Sequence, residues 1–127
     1  MSRFRFLERD LILAIHEVQL AEHGGRIGIR DQGLLESALG RPENLAHYEL
    51  DADLAALAAA YAFGLAKNHP FIDGNKRTAF VAMELFIADN GGQLTADDTS
   101  AVMAMLGLAS GEMSELEFAD WIRRNLA

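Results

Sequence analysis

Residues 67–78 read Lys67-Asn68-His69-Pro70-Phe71-Ile72-Asp73-Gly74-Asn75-Lys76-Arg77-Thr78, bringing an imidazole, a carboxylate, a glycine, an amide and three cations into one short stretch. The chemistry this mixture suits is the binding of a small anion. If a helix opens near Gly74 or Asn75, its first N–H groups lack partners and carry about half a positive charge, which already makes an anion site. Lys76 and Arg77 in that first turn have the wrong sign for helix stability, opposing the macrodipole by ~0.3–1 kcal/mol each, and a bound anion accounts for them. Gly74 lets a phosphate approach backbone with no Cβ in the way, and Asn75 adds amide hydrogen bonds. Asp73 reads in two ways, as N-cap of the helix or as a ligand to Mg²⁺, which takes one or two carboxylates plus phosphate oxygens. His69 likewise reads as a structural histidine or as a general base for a hydroxyl attacking the phosphate, its unperturbed pKa of about 6.5 suiting neutral pH. Phe71 is expected to anchor the loop. The glycine spacing of a P-loop is missing, and Lys76 is not followed by Ser or Thr.

The charge distribution supports this reading. The net charge is −8, yet from residue 42 to residue 122 the only cationic side chains are Lys67, Lys76 and Arg77. A local cluster focuses potential even in a repulsive global field, so the three fit either a small anion or surface pairing with nearby carboxylates. A broad nucleic-acid face, which needs clustered Lys and Arg, is excluded by the same charge.

Two nearly unbroken apolar segments must hold the stretch. Asp51 or Asp53 caps a helix over about 53–67, where Leu54 to Phe63 leaves almost no polar face, the mark of a central helix. Pro70 turns the chain at His69. The next helix runs from Gly74 or Asn75 to about Asn90, carries Phe80, Val81, Met83, Leu85, Phe86 and Ile87, and stops at Gly91-Gly92. The two form an antiparallel pair with the polar loop at one end.

Upstream, residues 8–23 follow the helical period at Leu11, Ala14, Ile15, Val18 and Ala21. His16 and His23 share a side of that helix and read as surface or structural, since Leu20 stands where a zinc protease needs its second histidine. Asp31-Gln32-Gly33 leads into a short helix, Leu34–Leu39, that Gly40 and Pro42 close. The segment Arg41–Leu50 then reads as a connection, either linker or functional flap. Downstream, residues 97–109 give a helix with Thr95 and Asp98 as cap candidates and with Met103 and Met105 as core filler. Ser114 and Glu117 form a capping box for the last, in which Leu116, Phe118, Ala119, Trp121, Ile122 and Leu126 pack and Arg123-Arg124 suit the negative end.

No strand alternation, repeat or interdomain linker appears, so the expected architecture is all-α: one compact domain over residues 1–127, a bundle of about six helices burying roughly two-thirds of its unfolded surface. With no cysteine, disulfides and thiolate chemistry are excluded and a reducing cytoplasm is allowed. The start, Met1-Ser2-Arg3-Phe4-Arg5-Phe6-Leu7, lacks the long apolar core of a signal peptide, and runs such as 54–66 are too short to span a bilayer. A cytoplasmic protein with no membrane segment is expected.

His69-Pro70-Phe71-Ile72-Asp73-Gly74-Asn75-Lys76-Arg77 closely resembles the signature loop of the Fic/Doc superfamily. The Fic branch reads H-x-F-x-[DE]-G-N-G-R-x-x-R and the Doc (death-on-curing) toxin branch H-x-F-x-D-[AG]-N-K-R. Gly24-Gly25, Arg30 to Ala38 and Arg41-Pro42 resemble the region upstream in Doc-like toxins. Two positions choose the branch. Lys76 replaces the glycine that follows Asn in AMP-transferring Fic enzymes, and Phe80 replaces their last arginine. The resemblance implies a Doc-like toxin that transfers the γ-phosphate of ATP to a Thr or Ser of a translation factor, elongation factor Tu, and so stops translation. In that reading His69 is the general base and Asp73 the Mg²⁺ ligand. Gly74, Asn75, Lys76 and Arg77 form the phosphate clamp, with Lys67 a possible addition, and segment 41–50 is the flap that aligns the target peptide. An antitoxin whose disordered tail folds on binding is the implied partner. The alternatives are AMP transfer by a variant Fic site and a non-catalytic binding module on the same fold.

Overall fold

The computed structural model describes residues 3–127; Met1-Ser2, part of the start discussed above, lies outside them. The described residues form six helices: α1 Arg9–His23, α2 Gln32–Tyr48, α3 Leu54–Asn68, α4 Asn75–Asp89, α5 Asp98–Ser110 and α6 Glu115–Arg124. Extended pairing among them is confined to two isolated antiparallel bridges, Ile29 with Phe71 and Leu94 with Leu126. The fold is all-α, as the periodicity implies.

α3 is the centre. It packs on α2, α4, α5 and α6, and Ala55, Leu57 to Ala62 and Gly64 to Ala66 are all buried. Alanine and glycine let neighbouring backbones approach. A Cβ placed on Gly64 would lie 3.2 Å from the Ala38 carbonyl oxygen of α2, so the two helices touch there with no room for a side chain. Asp53 caps α3 by accepting from the Ala56 N–H, and its carboxylate also receives Arg123 of α6 at 2.7 and 2.9 Å. That guanidinium is the chief reason the Asp53 pKa lies below the ordinary carboxylate value. Within the core, Phe86 of α4 gathers the rings of Phe4, Phe6 and Tyr61, and the buried Tyr61 hydroxyl accepts from the Leu7 N–H. Burial pushes that phenol up to about 12.

Several sequence expectations are corrected. α2 does not stop at Gly40 and Pro42 but runs through both to Tyr48, so residues 41–48 are helix rather than flap. Proline removes the N–H that would bond the Ala38 carbonyl. The helix continues because Leu35, Ala38 and Pro42 are buried, Ala38 against α3, while Arg41 lies over the Phe63 ring and pairs with Glu115. α1 buries Ile12, Ile15, His16 and Gln19, leaving Leu11, Ala14, Val18 and Ala21 exposed; its inward face is turned from the one the apolar pattern picks out. Asp97, not Thr95 or Asp98, caps α5, and Thr95 bonds the Asn125 carbonyl instead. Met105 is buried but Met103 is exposed, as is Leu116. The capping box of Ser114 and Glu117 is present as expected.

Candidate active site

The stretch after α3 is held in place before any ligand is considered. His69 terminates α3 in the left-handed conformation, φ 53° and ψ 53°, and is the one non-glycine residue with positive φ among those described. Such a backbone costs about 1–3 kcal/mol and persists only when its surroundings fix it. Here Arg30 supplies the constraint: its Nε–H donates to the His69 carbonyl at 2.7 Å and a terminal N–H to the Asn68 carbonyl at 2.8 Å. Beside it the chain from Gly28 to Asp31 runs along the loop, with the Arg30 and Asp31 N–H groups donating to the Pro70 carbonyl and the Ile72 N–H to the Gly28 carbonyl. Pro70 and Phe71 are buried beneath, as expected for an anchor.

Asn75 ties the loop to the start of α4. Its Oδ1 accepts from the Phe71 N–H, and its Nδ2 donates to the Phe71 carbonyl, both at 2.9 Å. Those two bonds assign the amide's orientation, so the remaining Nδ2 hydrogen faces His69 Nδ1 at 3.1 Å. Nδ1 therefore accepts, and the neutral imidazole carries its hydrogen on Nε2. The buried Asn75 side chain is committed within the loop; what it can offer a ligand is its backbone N–H.

Gly74 is the N-cap of α4, at φ 76° and ψ 18°, and provides no side-chain cap. Glycine takes this left-handed geometry without penalty. The first-turn N–H groups consequently lack a helical or side-chain acceptor. Asp73 is not that cap. Its Oδ2 accepts from the Arg26 N–H at 3.1 Å and its Oδ1 from the Gly74 N–H at 3.2 Å. The Arg26 bond leads the causes that hold this exposed carboxyl below the ordinary range, with the Gly74 bond and the charges of Arg77 and Arg26 adding to it. Asp73 is thus an anion at neutral pH with lone pairs to spare. Lys76 and Arg77 are exposed in the first turn and border an open, mainly apolar groove of about 510 Å³ between α1, α4 and α5, which Phe80 also lines.

A family model for the Fic/DOC family matches residues 6–87. The chain belongs to the Fic/DOC family. It is 34% identical over 120 residues, 94% of each chain, to the protein kinase doc of Escherichia phage P1. It is also 42% identical over 94 residues to the toxin Doc of Mycolicibacterium smegmatis, covering 72% of this chain and 69% of that one. These relatives place it in the death-on-curing branch, as the loop resemblance implies.

In this Doc-like chain the structure brings His69, Asp73, Gly74 and Asn75 into one connected loop and sets Lys76 and Arg77 at its helical exit. Lys67 does not join them: its Nζ reaches the Ala109 carbonyl at 3.4 Å, at the end of α5. The element that does flank the loop is the segment 26–31, not 41–50. Sequence reasoning missed Arg30 as a support, and of its two readings of His16, surface or structural, the second holds: the ring is buried and stacks on Phe71. The signal for the first was the closely spaced Gly24, Gly25 and Gly28 ahead of Arg30, all at positive φ. For His16 the signal was only its place one residue after Ile15.

Proposed function

We propose that this protein is a Doc-like toxin that transfers the γ-phosphate of ATP to a Thr or Ser hydroxyl of a translation factor, elongation factor Tu being the leading target. The observation that carries the reading is the convergence, within one pinned loop, of an exposed imidazole, an ionised carboxylate and a glycine-started helix whose first turn is basic. Phosphoryl transfer asks chiefly for positioning and charge stabilisation, and this set supplies both. The name of the phage P1 relative, a protein kinase, points the same way.

In this mechanism the first-turn N–H groups of α4, with Lys76 and Arg77, bind the phosphates. His69 takes the proton of the target hydroxyl as its oxygen bonds to the γ-phosphorus, and the bond from that phosphorus to the bridging oxygen breaks, releasing ADP. Proton acceptance at Nε2 uses the tautomer with its hydrogen on Nδ1, which requires the Asn75 N–H to release that nitrogen; in the resting protein Asn75 favours the other. Asp73 would hold Mg²⁺, which when bound neutralises phosphate charge. The donor fits that ion: Asp73 is an exposed, ionised carboxylate beside the basic start of α4, and one carboxylate next to a phosphate site is a usual arrangement for Mg²⁺. Lys76 in place of glycine and Phe80 in place of arginine favour presentation of the γ-phosphate over the α-phosphate. Regulation falls to an antitoxin that covers the protein, and no helix among the described residues is long and apolar enough to cross a membrane.

The test is transfer from ATP labelled at either the α or the γ position to purified elongation factor Tu. Label from γ alone is expected, and His69→Ala is expected to lower the rate about 10²–10⁴-fold, the usual worth of a general base. Label from α alone would replace the kinase assignment with AMP transfer.

A further inference from the structure

His16 is a buried, titratable side chain that the mechanism above does not use, and it is 4% exposed. Its ring lies flat on that of Phe71, with centroids 3.8 Å apart and planes 9° from parallel. Its Nε2 is 2.9 Å from the Asp73 carbonyl oxygen. A carbonyl only accepts, so Nε2 carries the hydrogen and donates. The same ring lies beside Gly74: a Cβ built there would be in ordinary contact with it, 3.7 Å from His16 Cδ2 and 3.8 Å from Nε2, next to Leu20 at 3.4 Å. One side chain from α1 thus contacts both Phe71 and the carbonyl of Asp73, next to Gly74.

The consequence lies in the peptide linking Asp73 to Gly74. A peptide is planar, so fixing the direction of its oxygen fixes that of its N–H. The oxygen is the one His16 holds, and the N–H is the one that donates to Asp73 Oδ1. The geometry points to His16 as the positioning residue of the site: by orienting the Asp73–Gly74 peptide from α1, it aims the Asp73 carboxylate and sets the backbone entry to α4. It acts through the peptide and touches no substrate. Its role in catalysis rests on the proposed phosphotransfer, whereas its role in orienting the peptide does not.

Two variants separate the ring from the donor. His16→Phe keeps a ring to stack on Phe71 but cannot donate, and His16→Gln keeps a donor of similar reach. The first readout is the exchange rate of the Gly74 amide proton with solvent, measured by NMR beside the α3 amides. We expect it to rise about tenfold in His16→Phe with α3 unchanged, and to stay within about threefold of the parent in His16→Gln, as a local opening would give. The second readout is the Mg²⁺ concentration for half-maximal γ-phosphate transfer, expected to rise about tenfold in His16→Phe with most of kcat recovered at saturation, the split that separates lost binding from lost chemistry. An unchanged Gly74 rate in His16→Phe, or equal acceleration at Gly74 and throughout α3, would overturn the proposal by reducing His16 to ordinary packing. If His16→Phe does not fold, His16→Gln decides: Gly74 protection retained supports the donor role, and protection lost overturns it. Absence of γ-phosphate transfer in the parent would defeat the kinase reading while the amide measurement still judged His16.

Discussion

The N-terminus of α6 is closed by Ser114, whose hydroxyl accepts from the Glu117 N–H while the Glu117 carboxylate accepts from the Ser114 N–H, and its first turn carries Glu115 and Glu117. α4 starts from Gly74 without a side-chain cap, and its first turn carries Lys76 and Arg77. Both helices sit against α3, so the same core supports two opposite beginnings. At α6 every local choice serves stability: capped donors, acids at the positive end, Arg123 and Arg124 at the negative end. At α4 the donors stay open and the charges repel the dipole. A chain that arranges one terminus so well and another so badly has a use for the second, and the use proposed above is binding an anion.

Reversing the charges at α4 is the most direct way to break the contrast. Lys76→Glu with Arg77→Glu is expected to lower γ-phosphate transfer about 10²–10³-fold, the scale of losing electrostatic stabilisation of a transition state. The same change should raise stability by about 0.3–1 kcal/mol per site in denaturant unfolding, because the acids now suit the helix start. A fall in both would mean the two cations are structural. Next in size is Asn75→Ala, which strands the Phe71 N–H and carbonyl at a cost of about 1–3 kcal/mol for each group left unpaired. Thermal unfolding would show that loss, and activity should fall with it because His69 is released.

Ser114→Ala removes the α6 cap. We expect it to cost about 1 kcal/mol, with phosphate transfer unchanged. An effect on activity would show that the two termini are coupled through α3. The smallest expected effect concerns Asp53, whose folded pKa is lowered mainly by Arg123. A depressed carboxyl contributes stability that is present above its unfolded value, near 3.8, and is lost as pH falls through the lower folded value. Asp53→Asn retains a capping oxygen and should flatten the acid limb of the stability profile slightly, the pair being partly exposed.

What the sequence conveyed depended on whether the deciding interaction was local. α3 and α4 were legible because unbroken apolar runs, Pro70 and the Gly91-Gly92 stop act on their own residues, and the Ser114 box is visible for the same reason. α2 was misread at Pro42 because contacts with α3 and α6 carry the helix past it, and contacts do not appear in a propensity. The inward face of α1 was misjudged because it buries two polar residues, His16 and Gln19, where a hydrophobic pattern looks for aliphatic ones. In the loop, the types and order of His69, Asp73, Gly74 and Asn75 announced a site. Its supports did not show, since Arg30 and His16 come from elements 39 and 57 residues away in sequence from the carbonyls they hold.

The burial of α3 also bears on how the protein can be controlled. The amides of its buried residues from Leu57 to Ala66 should exchange with solvent only when the whole molecule opens, which makes the middle of α3 the slowest-exchanging segment. The candidate loop begins at His69, just after the last residue of that helix, and Arg30 bonds the carbonyls on both sides of the junction. Local melting is therefore a poor off-switch for this site. On the function proposed above, silencing falls to a partner that covers the protein from outside and has to stay in supply for as long as the fold survives.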